Sequence, residues 1–144
     1  MSGCLLDVNV LIALIDPTHV HHDRAHDWFA DAGSRDWLSC PTTQNGAIRV
    51  VSNPRYSNAQ PTPESAILSL RSLAAVGSHR FVSDDVSLLD AATIDPTALI
   101  TSSEVTDTYL LALARRHDSR LATFDRRMAT AAVTGGDAVV LHIP

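Results

Sequence analysis

Apolar positions along the chain fall into two kinds of run. Short, nearly continuous runs occur at GCLLD (3–7), DWLSC (36–40), HRFV (79–82), RLATFD (120–125) and AVVLHI (138–143). Such runs suit strands buried on both faces. Between them the apolar residues recur at helical spacing. The pattern predicts a helix over 10–15, broken by Asp16-Pro17-Thr18, and a second over 19–32 with Val20, Ala25, Trp28 and Phe29 inward and Gly33 as its stop. A third, TQNGAIRVVS, is capped by Thr42 or Thr43 and ends before Asn53-Pro54. Residues 55–63 read as an exposed polar loop, and Pro63 opens a helix over 63–76 with Ile67, Leu70 and Leu73 or Ala74 on one face. A short helix around 86–90 and a loop after Asp95-Pro96 follow. TDTYLLALARRH then gives a helix capped by Thr106, with Tyr109, Leu110, Leu113 and Ala114 as its apolar face, and DRRMATAA reads as one more.

Strands alternating with helices predict an α/β domain with a mainly parallel sheet of four or five strands. No repeat, linker or low-complexity tract divides residues 1–144, which we read as a single domain. No apolar run reaches the roughly 20 residues of a membrane helix. The first residues carry no basic segment leading into an apolar run and a cleavage site. The expectation is a cytoplasmic protein with no membrane partner.

Charge narrows the picture further. All 11 basic residues are arginine and the net charge is −5. That argues against a general nucleic-acid coat protein, which needs excess basic charge. It leaves room for an acidic metal site beside a local arginine patch. Cys4 and Cys40 fall in predicted core strands and read as buried thiols. His22 and His26, at i and i+4 with His19 and His21 nearby, have zinc-site spacing, but a third ligand would have to come from Asp23 or Asp27 and no H-E-x-x-H is present. We read this segment as a surface or groove-lining helix.

Three aspartates stand at related places. Asp7 ends the first strand, Asp125 ends RLATF, and Asp107 starts the helix that feeds that strand. In open parallel sheets ligands gather outside the carboxyl ends of the strands. A helix feeding a parallel strand begins on that same side, so the topology brings the three acids together. Carboxylate oxygens of this kind suit hard cations such as Mg²⁺ or Mn²⁺. Phosphatases of the haloacid-dehalogenase type would need D-x-D, where this chain has Asn9, and receiver domains need a lysine the chain lacks.

LLDVNVLIAL, VTDTYLLALA and LATFDRRM resemble the signature segments of PIN-domain nucleases. HVHHDRAHDW and CPTTQNGAIRVVSNP resemble a subgroup of the VapC-type toxins of bacterial toxin–antitoxin pairs. The resemblance covers essentially the whole chain with its elements in order. It implies a PIN-like three-layer α/β/α domain and a metal-dependent endoribonuclease hydrolysing RNA with a metal-activated water. It also implies a homodimer and a small cognate VapB-type antitoxin, a segment of which lies in a groove formed by the helices around 10–30 and 43–52, with an antitoxin arginine entering the acid cluster. Carried over by position, Asp7, Asp107 and Asp125 are the catalytic and metal-holding residues. Asn9 and Thr123 orient them.

The chain departs from the common pattern at Gly46, where many PIN nucleases have a glutamate. Glu104 reads as a helix-start residue rather than a substitute. The departure gives the alternative reading, a catalytically impaired PIN-like module that binds RNA or protein without cutting. Arg115, Arg116, Arg120, Arg126 and Arg127 flank the two C-terminal acids and are candidates either for phosphate contacts or for solvated helix-end charge. Arg49 is a candidate RNA contact or ion-pair partner.

Overall fold

Neighbouring residues of the central strands bury against different helices. Leu5, Leu38 and Leu121 join one apolar cluster with Leu110, Leu113 and Val139. Leu6, Trp37 and Ala122 join another with Val10, Leu14, Phe29 and Ala47. Because successive strand side chains point to opposite faces, this division makes the sheet the middle of three layers. The computed structural model describes residues 3–56 and 61–144. Part of the loop expected over 55–63 therefore lies outside the described residues.

The strands are β1 (Gly3–Leu6), β2 (Trp37–Ser39), β3 (His79–Phe81), β4 (Ser119–Thr123) and β5 (Val140–His142). They pair in the order β3-β2-β1-β4-β5, and every pairing is parallel. Leu5 stands opposite both Leu38 and Leu121 in the ladder. Helices α1 (Val8–Ile15), α2 (His22–Asp31), α3 (Pro41–Val51) and α4 (Pro63–Ala74) supply the cluster around Leu6. The other face is covered by α5 (Val105–Arg116), the short α6 (Gly136–Val139) and irregular segments carrying Val82, Ile94, Met128 and Val133. The alternation of runs predicts the parallel α/β sheet found here, and the three-layer α/β/α arrangement is the one the PIN resemblance implies. No helix among the described residues is long and apolar enough to cross a membrane.

Several boundaries differ from expectation for local reasons. Helix α2 starts at His22 because Asp16 Oδ1 accepts from the backbone N–H and hydroxyl of Thr18. That turn holds the chain out of helix and leaves Val20 84 % exposed rather than inward. Helix α3 starts at Pro41 with Cys40 as its cap, and Thr43 sits inside its first turn, its hydroxyl accepting from the Cys40 N–H at 3.1 Å. Thr62 caps α4, its side chain accepting from the Ser65 N–H. Helix α5 grows out of a 3-10 turn over Ser102–Glu104, so Thr106 lies within the helix and does not cap it.

Two expected helices do not form. Residues 86–90 are irregular apart from a turn at 88–89. After Asp125, its Oδ1 accepts from the Arg127 N–H, an Asx turn that competes with helix. The following segment instead drops Met128, Ala132 and Val133 onto α5 as irregular cover. The start of AVVLHI belongs to α6, leaving β5 only Val140–His142.

Candidate functional site

Asp7 follows the last residue of β1 and caps α1. Its Oδ1 accepts from the Val8 N–H at 2.7 Å, while its own N–H continues the ladder to the Ala122 carbonyl. The capping preference of aspartate and its place at a strand end thus coincide. Asp7 is only 6 % exposed. Burial pushes its carboxyl above the ordinary range; hydrogen bonds from Thr123 and Val8 pull the other way, and the Asp125 charge pushes up again.

Thr123, the last residue of β4 and fully buried, is the hub of the site. Its hydroxyl donates to Asp7 Oδ2 at 2.8 Å and accepts from Asn9 Nδ2 at 3.2 Å and from the Asp125 N–H at 3.0 Å. Asn9 completes the link, its Oδ1 accepting from the Phe124 N–H at 3.3 Å. One hydroxyl therefore joins the ends of β1 and β4.

Asp107 lies in the first turn of α5, whose C-terminus leads into β4. Burial, then the charges of Asp7 and Asp125, push its carboxyl up to about 6. The structure thus gathers all three aspartates at the carboxyl edge of the sheet, close enough to feel one another. Among the described residues, no three acid, histidine or cysteine side chains already stand at spacing that would hold an ion. The protein's own donors hold these carboxylates: Val8 and Thr123 hold Asp7, and the Arg127 N–H holds Asp125. A donor set of carboxylate oxygens, two of them on groups pushed up by burial and by one another's charge, is of the kind that accepts a hard cation, and Mg²⁺ commonly keeps waters between itself and part of its site.

The remaining candidates divide. A Cβ at Gly46 would meet Val8 Cγ2 at 2.8 Å, so the glycine is where α3 packs closely on α1 beside Asp7. Glu104 accepts from the Ile100 N–H at 3.1 Å, tying down the turn before α5. Arg116 and His117 both pair with Asp85, at 3.3 and 2.9 Å. Arg116 lies nine residues along α5 from Asp107, roughly 13 Å at 1.5 Å per residue. Arg120, beside Cys4 in the ladder, lies in the half of β4 away from Asp125. These arginines, with Arg115 in the last turn of α5, do not flank the acids. Arg126 and Arg127 do. Arg49 sits in the last turn of α3, away from the helix end nearest the site.

The histidines have a role that spacing alone did not suggest. His22 Nδ1 bonds the Ala13 carbonyl at 2.7 Å and His26 Nε2 the Leu14 carbonyl at 2.8 Å, with the rings 4.3 Å apart. Both satisfy carbonyls of the last turn of α1, which have no partner within that helix. Cys40 is buried as expected, whereas Cys4 is only partly so.

An open parallel sheet flanked by helices on both faces, with an acidic site at its carboxyl edge organised by a threonine hub, defines the class of α/β protein to which the chain belongs. The chain belongs to the PIN domain family, whose sequence profile matches residues 4–133. It is 48 % identical over 134 residues to ribonuclease VapC44 of Mycobacterium tuberculosis, covering 91 % of this chain and 92 % of that one. Ribonuclease VapC39 of the same organism is 42 % identical over 131 residues, covering 91 % and 94 %. The crystal structure of Mycobacterium tuberculosis VapC20, a sarcin-ricin loop cleaving toxin, superposes with a TM-score of 0.58 over 91 % of this chain and 96 % of that one. At 13 % identity, that likeness bears on the fold.

Proposed function

We propose that the chain is a metal-dependent endoribonuclease acting as the toxin of a type II toxin–antitoxin pair. The observation that carries this reading is the placement of Asp7, Asp107 and Asp125 at the carboxyl edge of the sheet, with the Thr123 hydroxyl bonded both to Asp7 and to the Asp125 N–H. It is supported by relatives named as VapC ribonucleases along nearly their whole length.

Asp7, Asp107 and Asp125 would hold the cation, with Mg²⁺ or Mn²⁺ both suited to oxygen ligands. Bound there, such an ion supplies an activated water and neutralises charge on the phosphodiester. The chain's own residues do the rest. Thr123 fixes Asp7 Oδ2, leaving the carboxylate little freedom to turn. Asn9 holds the backbone at Phe124, which sets where Asp125 leaves the strand. Asp107 approaches from the sheet's other face, on α5, so RNA phosphate is met from two layers. Preorganised groups of this kind cost no reorganisation when charge develops.

The proposed assembly is a homodimer neutralised by a small VapB-type antitoxin. A cleft of about 500 Å³ lined by Ile15, Val51, Tyr56, Ala66 and Ser69 lies between the C-terminal ends of α1 and α3 and the first turns of α4 and would take an apolar antitoxin segment. It lies at the end of α1 opposite Asp7, so the segment would have to extend along the helix to reach the acids.

Cleavage of a mixed RNA pool by antitoxin-free protein tests the reading, with Mg²⁺, with Mn²⁺, with chelator and with Asp107→Asn. Discrete fragments that need metal and vanish in the variant are expected. Intact RNA after incubation with folded, metal-supplied protein would overturn it in favour of a binding module, the reading that Gly46 in place of an acid favours.

A further inference from the structure

Beside the acids lies a cluster of rings and cations that the hydrolysis itself does not use. Phe124 stands between Thr123, the hub, and Asp125. The His21 ring stacks on it, with centroids 4.7 Å apart and planes 22° from parallel. Arg24 places its guanidinium carbon 5.2 Å from the Phe124 ring centre and bonds His21 Nδ1 at 3.0 Å.

Arg24 and Arg126 are anchored from below by the chain end after β5. Arg24 Nε donates to the Pro144 carbonyl at 2.8 Å, and Arg24 Nη2 and Arg126 Nη2 each donate to the Ile143 carbonyl at 3.4 Å. Among the described residues neither arginine pairs with an Asp or Glu side chain. Two guanidiniums held by main-chain oxygens rather than by acidic side chains thus stand around an aromatic pile in a chain of net charge −5. Val20, next to His21, adds an apolar side chain that is 84 % exposed.

Aromatic and imidazole faces stack unpaired bases, and arginine contacts the linking phosphates. We propose that the His21–Phe124 pile, with Arg24 and Arg126, is a subsite for one unpaired nucleotide of single-stranded RNA next to the bond that is cut. The base stacks on the pile and its phosphate meets the two guanidiniums. Because Phe124 precedes Asp125, the bound nucleotide fixes the register of the strand across the acids. This rests on the ribonuclease reading for its substrate, but its test does not depend on cleavage.

The experiment is binding of a short single-stranded RNA carrying 2-aminopurine, in chelator, where stacking quenches the fluorescence. The parent chain is expected to bind and quench. His21→Ala is expected to weaken binding about tenfold and to lose most of the quench, as loss of one base–aromatic stack does. Arg24→Gln and Arg126→Gln should each weaken binding and flatten its salt dependence while leaving the quench in place. Arg116→Gln, at the far end of α5, is the control and should bind as the parent does. With metal restored, His21→Ala should raise KM more than it lowers kcat.

Absence of binding by the parent at low salt overturns the proposal. So does equal affinity and equal quench in the parent and His21→Ala. A parent that binds and quenches but never cuts sinks the ribonuclease reading and leaves the subsite standing. A parent that cuts, with His21→Ala at unchanged KM, sinks the subsite alone.

Discussion

Thr123 Oγ1 donates to Asp7 Oδ2 at 2.8 Å across 116 positions of sequence, tying the end of β4 directly to a carboxylate at the end of β1. The same hydroxyl accepts from Asn9 and from the Asp125 N–H, so its single proton has only one direction to take. Thr123→Val keeps the shape and removes the bond, leaving a buried carboxylate with one fewer donor. Urea denaturation is expected to show a loss of about 1–3 kcal/mol. RNA cleavage should fall about 10- to 100-fold, as for lost partners of metal-site ligands. Thr123→Ser should keep most of both, because it restores the hydroxyl.

Gly46 is a packing requirement before it is a missing acid. A Cβ there comes within 2.8 Å of Val8 Cγ2, on the residue that follows Asp7. Gly46→Ala gains about 1 kcal/mol of helix propensity but displaces Val8 and tilts Asp7. The expected result is near-unchanged stability with reduced cleavage. Adding Val8→Ala relieves the clash, so the double variant should be about 1 kcal/mol more stable than Val8→Ala alone. Additive stabilities across the four proteins would show that the two positions do not touch.

The stability of the metal-free protein should fall as pH rises past Asp107. Burial and the charges of Asp7 and Asp125 raise its carboxyl from 3.8 to about 6 in the folded chain. The folded state therefore binds this proton more tightly than the unfolded state, and ionisation costs it stability. The cost is absent below about pH 3.8, grows through the interval and is complete above about 6. Asp107→Asn removes it. Above about pH 6 in chelator the variant should be the more stable protein. The gain is about 1 kcal/mol once the half-exposed group is discounted for solvent screening. The two should converge in acid. Mg²⁺ should restore the wild type and leave the variant unmoved, in the same melts. Cleavage by Asp107→Asn should be nearly abolished at every pH.

His22 and His26 are expected to act as end caps of α1. Each supplies a ring nitrogen to a carbonyl of that helix's last turn. His22→Ala should cost about 1 kcal/mol, the worth of a typical hydrogen bond. His26→Ala should cost less because it is more exposed. Zinc analysis of untagged protein should find no stoichiometric metal, and the double variant should still cleave RNA.

Much of this protein was legible along the chain. The alternation of strand and helix runs determines a parallel α/β sheet, and parallel topology alone brings Asp7, Asp107 and Asp125 to one edge. Each needed only its place relative to a strand end. The tertiary structure decided what depends on residues far apart in sequence. Thr123 became a hub because β1 and β4 are neighbours, and Gly46 a contact because α3 crosses α1 at Val8. The histidine pair turned to carbonyls of the preceding helix, and Arg116 turned to Asp85 rather than to the acids. Segments 86–90 and 126–133 carry helix-like composition yet remain irregular, because local side-chain bonds to Ser87 and Asp125 compete with helix and burial against α5 needs no regular backbone. Spacing in sequence states which residues share an element; only packing decides which atom each side chain meets.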